Sequence, residues 1–126
     1  MQRLIKNLFK DNFFIIGAFG ITIAISTLSL IKAPKTDVGF SNIDKMYHLF
    51  AYFTLSLFWL FSFYKKSSLK YFIVLACLIY GILIEVIQHT LTTYRTGDYK
   101  DAIANTLGSI FGLIVFNQIK KKIDVN

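Results

Sequence analysis

Cysteine and proline are nearly absent from this chain, and acidic residues are few. The single cysteine, Cys77, excludes an intrachain disulfide and any CxxC metal or redox motif. The single proline, Pro34, leaves the long apolar runs uninterrupted. Seven acidic residues against fourteen Lys and Arg leave a formal charge of +7, a balance that invites a nucleic-acid partner. The basic residues, however, sit in short clusters between apolar runs and form no continuous patch, which argues against nucleic acid. Also missing are a G-x-S-x-G nucleophile turn and a Gly-rich phosphate loop, and neither Ser109 nor Thr106 has a base predicted beside it.

What is there is apolar. In 126 residues, 55% are hydrophobic and 17% aromatic, with a mean hydropathy of +0.55. That is too apolar for an ordinary soluble domain and reads as a small membrane protein. Residues 13–31 carry no charge, and at about 1.5 Å per residue such a run can cross a hydrocarbon core of roughly 30 Å. The run is long for a signal-peptide h-region and no A-x-A site follows, so it is read as a retained first span. Arg3, Lys6 and Lys10 before it suit a short interfacial helix. Further spans follow at about 46–64, 71–91 and 102–119, the last stopped by Lys120, Lys121 and Lys122. The expected fold is an all-α bundle of four transmembrane helices, with residues 1–126 a single transmembrane domain.

Orientation follows from Lys and Arg in the short flanks, because positive charge is retained on the cytoplasmic side. With both termini inside, Arg3, Lys6, Lys10, Lys65, Lys66, Lys70, Lys120, Lys121 and Lys122 are cytoplasmic, nine in all, against Lys32, Lys35, Lys45, Arg95 and Lys100 outside, five. The expected location is a bacterial cytoplasmic membrane with both termini cytoplasmic.

The rise per residue then gives depths. His48 lies about 5 Å and Tyr52 about 10 Å below the outer boundary on the second span, Glu85 roughly 9 Å and Gln88 roughly 5 Å on the third, and Asn105 about 6 Å on the fourth. Faces agree with depths. Lys45, His48 and Tyr52 are spaced three then four; Gly81, Glu85, Gln88 and Thr92 four, three and four; Asp101, Asn105, Gly108 and Gly112 four, three and four. Residues at such steps share one helical face. Turning an ionisable side chain to lipid costs about 2.5 to 3.5 kcal/mol on the insertion scale, so the stripes are expected to face inward and form a shallow polar layer open to the outer surface.

These residues carry a resemblance. Asp44-Lys45-x-x-His48-x-x-x-Tyr52, Glu85-x-x-Gln88 and Arg95-x-x-Asp98-x-x-Asp101-x-x-x-Asn105-x-x-Gly108 resemble, in order, the signature of the VanZ-like membrane proteins, a bacterial family named for an accessory teicoplanin-resistance protein. The match covers the last three spans and their outer turns. It departs at Leu49, where the family commonly has Phe, a conservative change. The resemblance implies a multi-span envelope protein and brings no reaction with it.

Two readings stand for each part of the layer. His48 and Glu85 form a candidate acid-base pair, since burial raises a carboxylate toward the range where histidine titrates; the bland alternative is hydrogen-bonded glue among His48, Glu85, Gln88 and Asn105. Asp98 or Asp101 can cap the fourth helix. Alternatively Arg95, with Lys45, clamps an anionic group, and Asp98 and Asp101 belong to the same ligand site as Tyr52, Gln88 and Asn105. An oxygen-rich metal site from Glu85, Asp98, Asp101, Asn105 and His48 is conceivable, suited to magnesium, calcium or manganese, but no HExxH or EF-hand spacing supports it, so neither a metal nor a cofactor is assigned. Gly108-x-x-x-Gly112 is a close-packing motif that serves either this chain or a homo-oligomer, with intrachain packing favoured.

The expected function is recognition of an anionic lipid headgroup or lipid-linked envelope precursor, linked to the glycopeptide response. The alternatives are an acid-base hydrolase or transferase on a lipid-linked substrate, and a packing or assembly role.

Overall fold

In the computed structural model the protein is all-helical. Arg3, Asn7 and residues 12–30, 41–91 and 99–125 are described; the interfacial helix expected in the first twelve residues falls largely outside them. Four long helices follow one another: α1 (Phe13–Leu30), α2 (Ser41–Ser62), α3 (Lys70–Leu91) and α4 (Tyr99–Val125), with one 3-10 turn at Ser67–Leu69 between α2 and α3. Lys66 N–H donates to the Phe63 carbonyl and Leu69 N–H to that of Lys66, each at 2.9 Å, so the reversal from α2 to α3 is tight. Asn12 precedes α1 with φ 59°, and its carbonyl accepts from Ile16 N–H at 3.1 Å. Asparagine is one of the few residues that takes this left-handed geometry at low cost.

Three helices are long and apolar enough to cross a membrane: Phe13–Leu30, Lys70–Thr90 and Tyr99–Asp124. Their outward faces carry large exposed apolar side chains, among them Phe19 and Ile23 on α1, Phe72 and Ile79 on α3, and Ile103 and Phe111 on α4. On water-facing helices an apolar surface of this extent is rare. The exception is α2, which is less apolar because its first turns carry Lys45 and His48 and because the other three helices cover it. It is the hub, with its most intimate contact to α4.

The contact with α4 depends on small residues. A Cβ added at Gly108 would overlap the Leu49 carbonyl oxygen, and one at Gly112 would overlap Ser56 Oγ and sit 3.0 Å from the Phe53 carbonyl oxygen. Ser56 and Ser109, both fully buried, line the same seam. The glycine motif therefore packs within the chain, letting the backbones of α2 and α4 touch. Opposite the polar end, Leu60 and Phe61 of α2, Ile73 and Val74 of α3 and Phe116 of α4 form the apolar core. The Phe61 ring stacks on Phe14 at 5.0 Å and meets Phe116 edge-on at 5.1 Å, tying in α1. Along the seam between α1 and α2, Gly17 lies beneath the Phe58 ring, 2.5 Å from where its Cβ would be.

Helix ends depart furthest from the sequence expectation in α2 and α4. The second helix begins at Ser41, before its apolar run starts at Met46. The fourth does not stop at the lysine run but continues to Val125, because Lys120 pairs with Asp124 one turn on at 2.7 Å and the Tyr64 hydroxyl donates to Asp124 at 2.7 Å. Lysines end the apolar run, not the helix.

The glycine seam yields a paired expectation. Gly108→Ala forces α4 away from the Leu49 backbone and should cost about 1–3 kcal/mol, the usual range for overpacking. Nothing lies within 4 Å of a Cβ at Gly20, so Gly20→Ala should be neutral or stabilise by up to about 1 kcal/mol through helix propensity. Thermal unfolding of both variants in one detergent measures the contrast; equal melting temperatures would refute the seam.

Candidate functional site

The polar residues of α2, α3 and α4 meet at the end of the bundle where α2 and α4 begin and α3 ends. His48 Nδ1 lies 2.9 Å from Asn105 Oδ1, joining α2 to α4. One turn earlier on both helices, Lys45 Nζ forms an ion pair with Asp101 Oδ1. The other ring nitrogen of His48 faces the second oxygen of the same carboxylate, Nε2 to Oδ2 at 3.6 Å. Glu85 of α3 completes the group: His48, Glu85 and Asp101 each bring a potential ligand atom within 4.8 Å of the others. Asn105, Asp101 and Glu85 are 2%, 6% and 7% exposed, so two carboxylates are buried side by side.

Asp101 lies in the first turn of α4, where a negative charge complements the helix dipole. Its carboxylate nevertheless reaches across to α2, so the capping reading does not describe what its oxygens do. Buried charge of this density holds only where opposite charges and hydrogen bonds compensate the lost water. Lys45 supplies one such compensation to Asp101.

Tyr52, one turn deeper on α2, is almost wholly buried, and its hydroxyl, like Asn105 Nδ2, has no hydrogen-bond partner among the described residues. Both sit over Gly81, whose absent Cβ leaves the space: it would stand 3.1 Å from the Tyr52 ring and 3.2 Å from Asn105 Cβ. Gly81 thus belongs to the site by what it lacks. Beside the cluster a cavity of about 260 Å³ opens between α1, α2 and α3, lined by His48, Tyr52 and Gln88 against Ile25, Leu28 and Ala51. On the other side of Lys45, a groove of about 280 Å³ between α2 and α4 is lined by Lys45 and Lys100 over Met46, Leu49, Ile103 and Leu107.

Of the site residues expected from sequence, Lys45, His48, Glu85, Asp101 and Asn105 come together, and Tyr52 and Gln88 line the adjoining cavity. Arg95 and Asp98 lie outside the described residues. Gln88 takes a partner that the stripes of α2, α3 and α4 did not supply: its Nε2 donates to the Ser29 carbonyl of α1 at 2.7 Å. The first helix has its own polar face, which the sequence reading passed over. Tyr80 of α3 donates to the Thr22 carbonyl at 3.1 Å and lies 2.5 Å from Ser26 Oγ, while Trp59 Nε1 donates to Thr22 Oγ1 at 3.0 Å. Thr22, Ser26 and Ser29, at steps of four and three, were the available signal. His89 is exposed, off the polar face, and Cys77 is buried as a free thiol.

The interhelical ion pair sets a test of the site's energetics. Removing one partner of a well-buried pair costs about 3–5 kcal/mol. Lys45 keeps about a quarter of its side-chain exposure, 23% against 9% for Asp101, which lowers the expectation for Asp101→Ala to about 1–3 kcal/mol. Because much of that loss is the stranded charge, Lys45→Met with Asp101→Leu should cost less than the sum of the two single changes. A double-mutant cycle by thermal unfolding reads the coupling; simple additivity would remove the pair from the site.

Residues 4–120 match the VanZ/LLP1 family. Among curated proteins, the uncharacterized protein C11E3.10 of Schizosaccharomyces pombe is 31% identical over 100 residues, which cover 78% of this chain and 60% of that protein. The chain thus spans about 60% of the length of this relative, and the relative brings no activity with it. No solved structure matches the chain. The family match takes in all four helices nearly to the end of α4 and every residue of the buried cluster, and the chain belongs to the VanZ/LLP1 family.

Proposed function

We propose that the chain is a multi-pass protein of the bacterial cytoplasmic membrane. All four helices cross, both termini are cytoplasmic, and the outward-facing polar cluster with its cavity receives the anionic headgroup of a lipid or lipid-linked envelope precursor. The observation that carries this reading is the amphipathic cavity of about 260 Å³, lined by the polar His48, Tyr52 and Gln88 together with the apolar Ile25, Leu28 and Ala51. A lipid has the same division, a polar group attached to an apolar chain. Lys45 and Lys100 line the neighbouring groove and bring positive charge beside the cluster. Such charge attracts phosphate or carboxylate, and arginine holds either one bidentately. A part in glycopeptide response, teicoplanin resistance included, extends the family's name to this chain.

The charge distribution supports the orientation. With α2 and α4 starting outside, the basic turn at Lys65, Lys66 and Lys70 and the run Lys120 to Lys122 lie together on the cytoplasmic side.

A second reading, acid-base hydrolysis or transfer on a lipid-linked substrate, is favoured by the placement of His48. Fixed by Asn105 through one ring nitrogen and facing Asp101 through the other, the imidazole stands among carboxylates with which it can exchange a proton. Glu85 is its candidate proton partner.

Lipid-resolved mass spectrometry of the purified protein tests both. The wild type is expected to retain an anionic lipid, and Arg95→Ala to retain about tenfold less at equal abundance, the effect of losing one charge-assisted hydrogen bond. Equal retention would overturn headgroup recognition. Conversion of the retained lipid, lost in His48→Ala, would select the enzyme; unchanged lipid would dismiss it.

A further inference from the structure

We propose that His48, Glu85 and Asp101 form a binding site for a single divalent transition-metal ion, Mn2+ or Zn2+. The three residues come from three different helices and converge to within 4.8 Å, in a cluster where both carboxylates are more than nine-tenths buried. Metal–ligand bonds of about 2.1 Å at tetrahedral angles hold ligand atoms about 3.4 Å apart. His48 Nε2 and Asp101 Oδ2 already stand 3.6 Å apart. All three ligand atoms lie within 4.8 Å of one another, so shifts of about 1–2 Å bring the set to that spacing.

The histidine is set up as a ligand. Asn105 Oδ1 can only accept, so His48 Nδ1, 2.9 Å away, carries a hydrogen, and Nε2 faces the Asp101 carboxylate at 3.6 Å. A cation between this ring nitrogen and the carboxylate would be held by both. Metal-bound histidines are held in this manner, donating the distal N–H to an oxygen that fixes the tautomer. The Asn105 amide is the outer-shell partner.

A separate observation points to the same spot. The Tyr52 hydroxyl and Asn105 Nδ2, both on residues at least 98% buried, have no hydrogen-bond partner among the described residues. Buried polar groups of this kind call for a partner. An ion with its remaining water ligands satisfies the phenol directly and the amide through a coordinated oxygen. One imidazole and two carboxylates form a mixed nitrogen and oxygen set, which suits Mn2+ or Zn2+ better than Ca2+ or Mg2+. Lys45 competes for Asp101, so ion and ammonium share that carboxylate. The site stands whether or not a lipid enters the cavity.

The test is titration of chelator-stripped, full-length protein in detergent micelles with MnCl2 and with ZnCl2, followed by calorimetry and, for manganese, by electron paramagnetic resonance. One saturable site is expected. Glu85→Gln and His48→Gln should weaken it at least about tenfold, the least that losing even an outer-shell partner does. Asp124→Asn, outside the cluster, should bind as the wild type does. Lys45→Gln should bind more tightly, because it removes a competing positive charge, and a site that is merely structural would not respond in that direction. A rise in melting temperature on adding the ion, present in wild type and Asp124→Asn and absent from Glu85→Gln, reads the same site independently of enthalpy. If the cluster is held by a proton on His48 alone, wild type takes up no more Mn2+ or Zn2+ than Glu85→Gln. That result, or weaker binding in Lys45→Gln, overturns the proposal.

Discussion

The contact on which the rest depends is the approach of α4 to α2 at Gly108 and Gly112. With side chains absent there, the α4 axis comes near enough for the Leu49 and Phe53 carbonyls to fill the space a Cβ would occupy. Backbones this close are held by van der Waals packing and hydrogen bonds along the seam. Small buried residues, Ser56 and Ser109, continue the seam and satisfy their own hydroxyls, Ser109 Oγ donating to the Asn105 carbonyl at 3.0 Å and Ser56 Oγ to that of Phe53 at 3.1 Å. One and two turns above the glycines, the same closeness sets Asn105 against His48 and Asp101 against Lys45. Seam and site share one face.

The bundle divides along its length by chemistry. Where α2 ends and α3 begins, aromatic and aliphatic side chains pack in a dry core around Leu60, Phe61 and Phe116. At the other end, buried carboxylates, an imidazole and an amide take the place of that core. Charge buried there stabilises less than an apolar core of equal volume would. Polar groups kept at such a cost in a chain this apolar point to what they bind or do. Gly81 fits the same account, since any side chain there would press on Tyr52 and Asn105 and close the space they line.

The first helix takes a part that its composition hides. It is apolar on nearly every side and only Ala18 is fully buried, yet it offers backbone and hydroxyl oxygens to Gln88, Tyr80 and Trp59. These bonds hold α1 against α2 and α3 and let Ile25, Leu28 and Ser29 line the cavity beside His48. A pocket of mixed polar and apolar lining follows from this placement.

Much of the site was legible in the chain because helical geometry is regular. Steps of three and four put Lys45, His48 and Tyr52 on one face, and a fixed rise set His48 level with Asn105, which the 2.9 Å contact between them matches. The same arithmetic read Gly108 and Gly112 as a packing face. Partner choice was another matter. Gln88 turns to the Ser29 carbonyl, which belongs to the backbone and leaves no mark in a pattern of side chains. Asp101 is placed by sequence at a helix start, where it could cap; the neighbour at Lys45 takes its carboxylate across to α2. Likewise the lysines after Ile119 mark where an apolar span ends, but Asp124 and Tyr64 decide that the helix goes on. Sequence alone determined the helices, their inward faces and the level at which polar groups lie, because these follow from local periodicity. Which groups touch, and that a histidine would stand among two carboxylates and an amide, was decided by the tertiary structure, because only the approach of α2, α3 and α4 brings residues far apart in sequence, up to 57 positions for His48 and Asn105, within reach of one another.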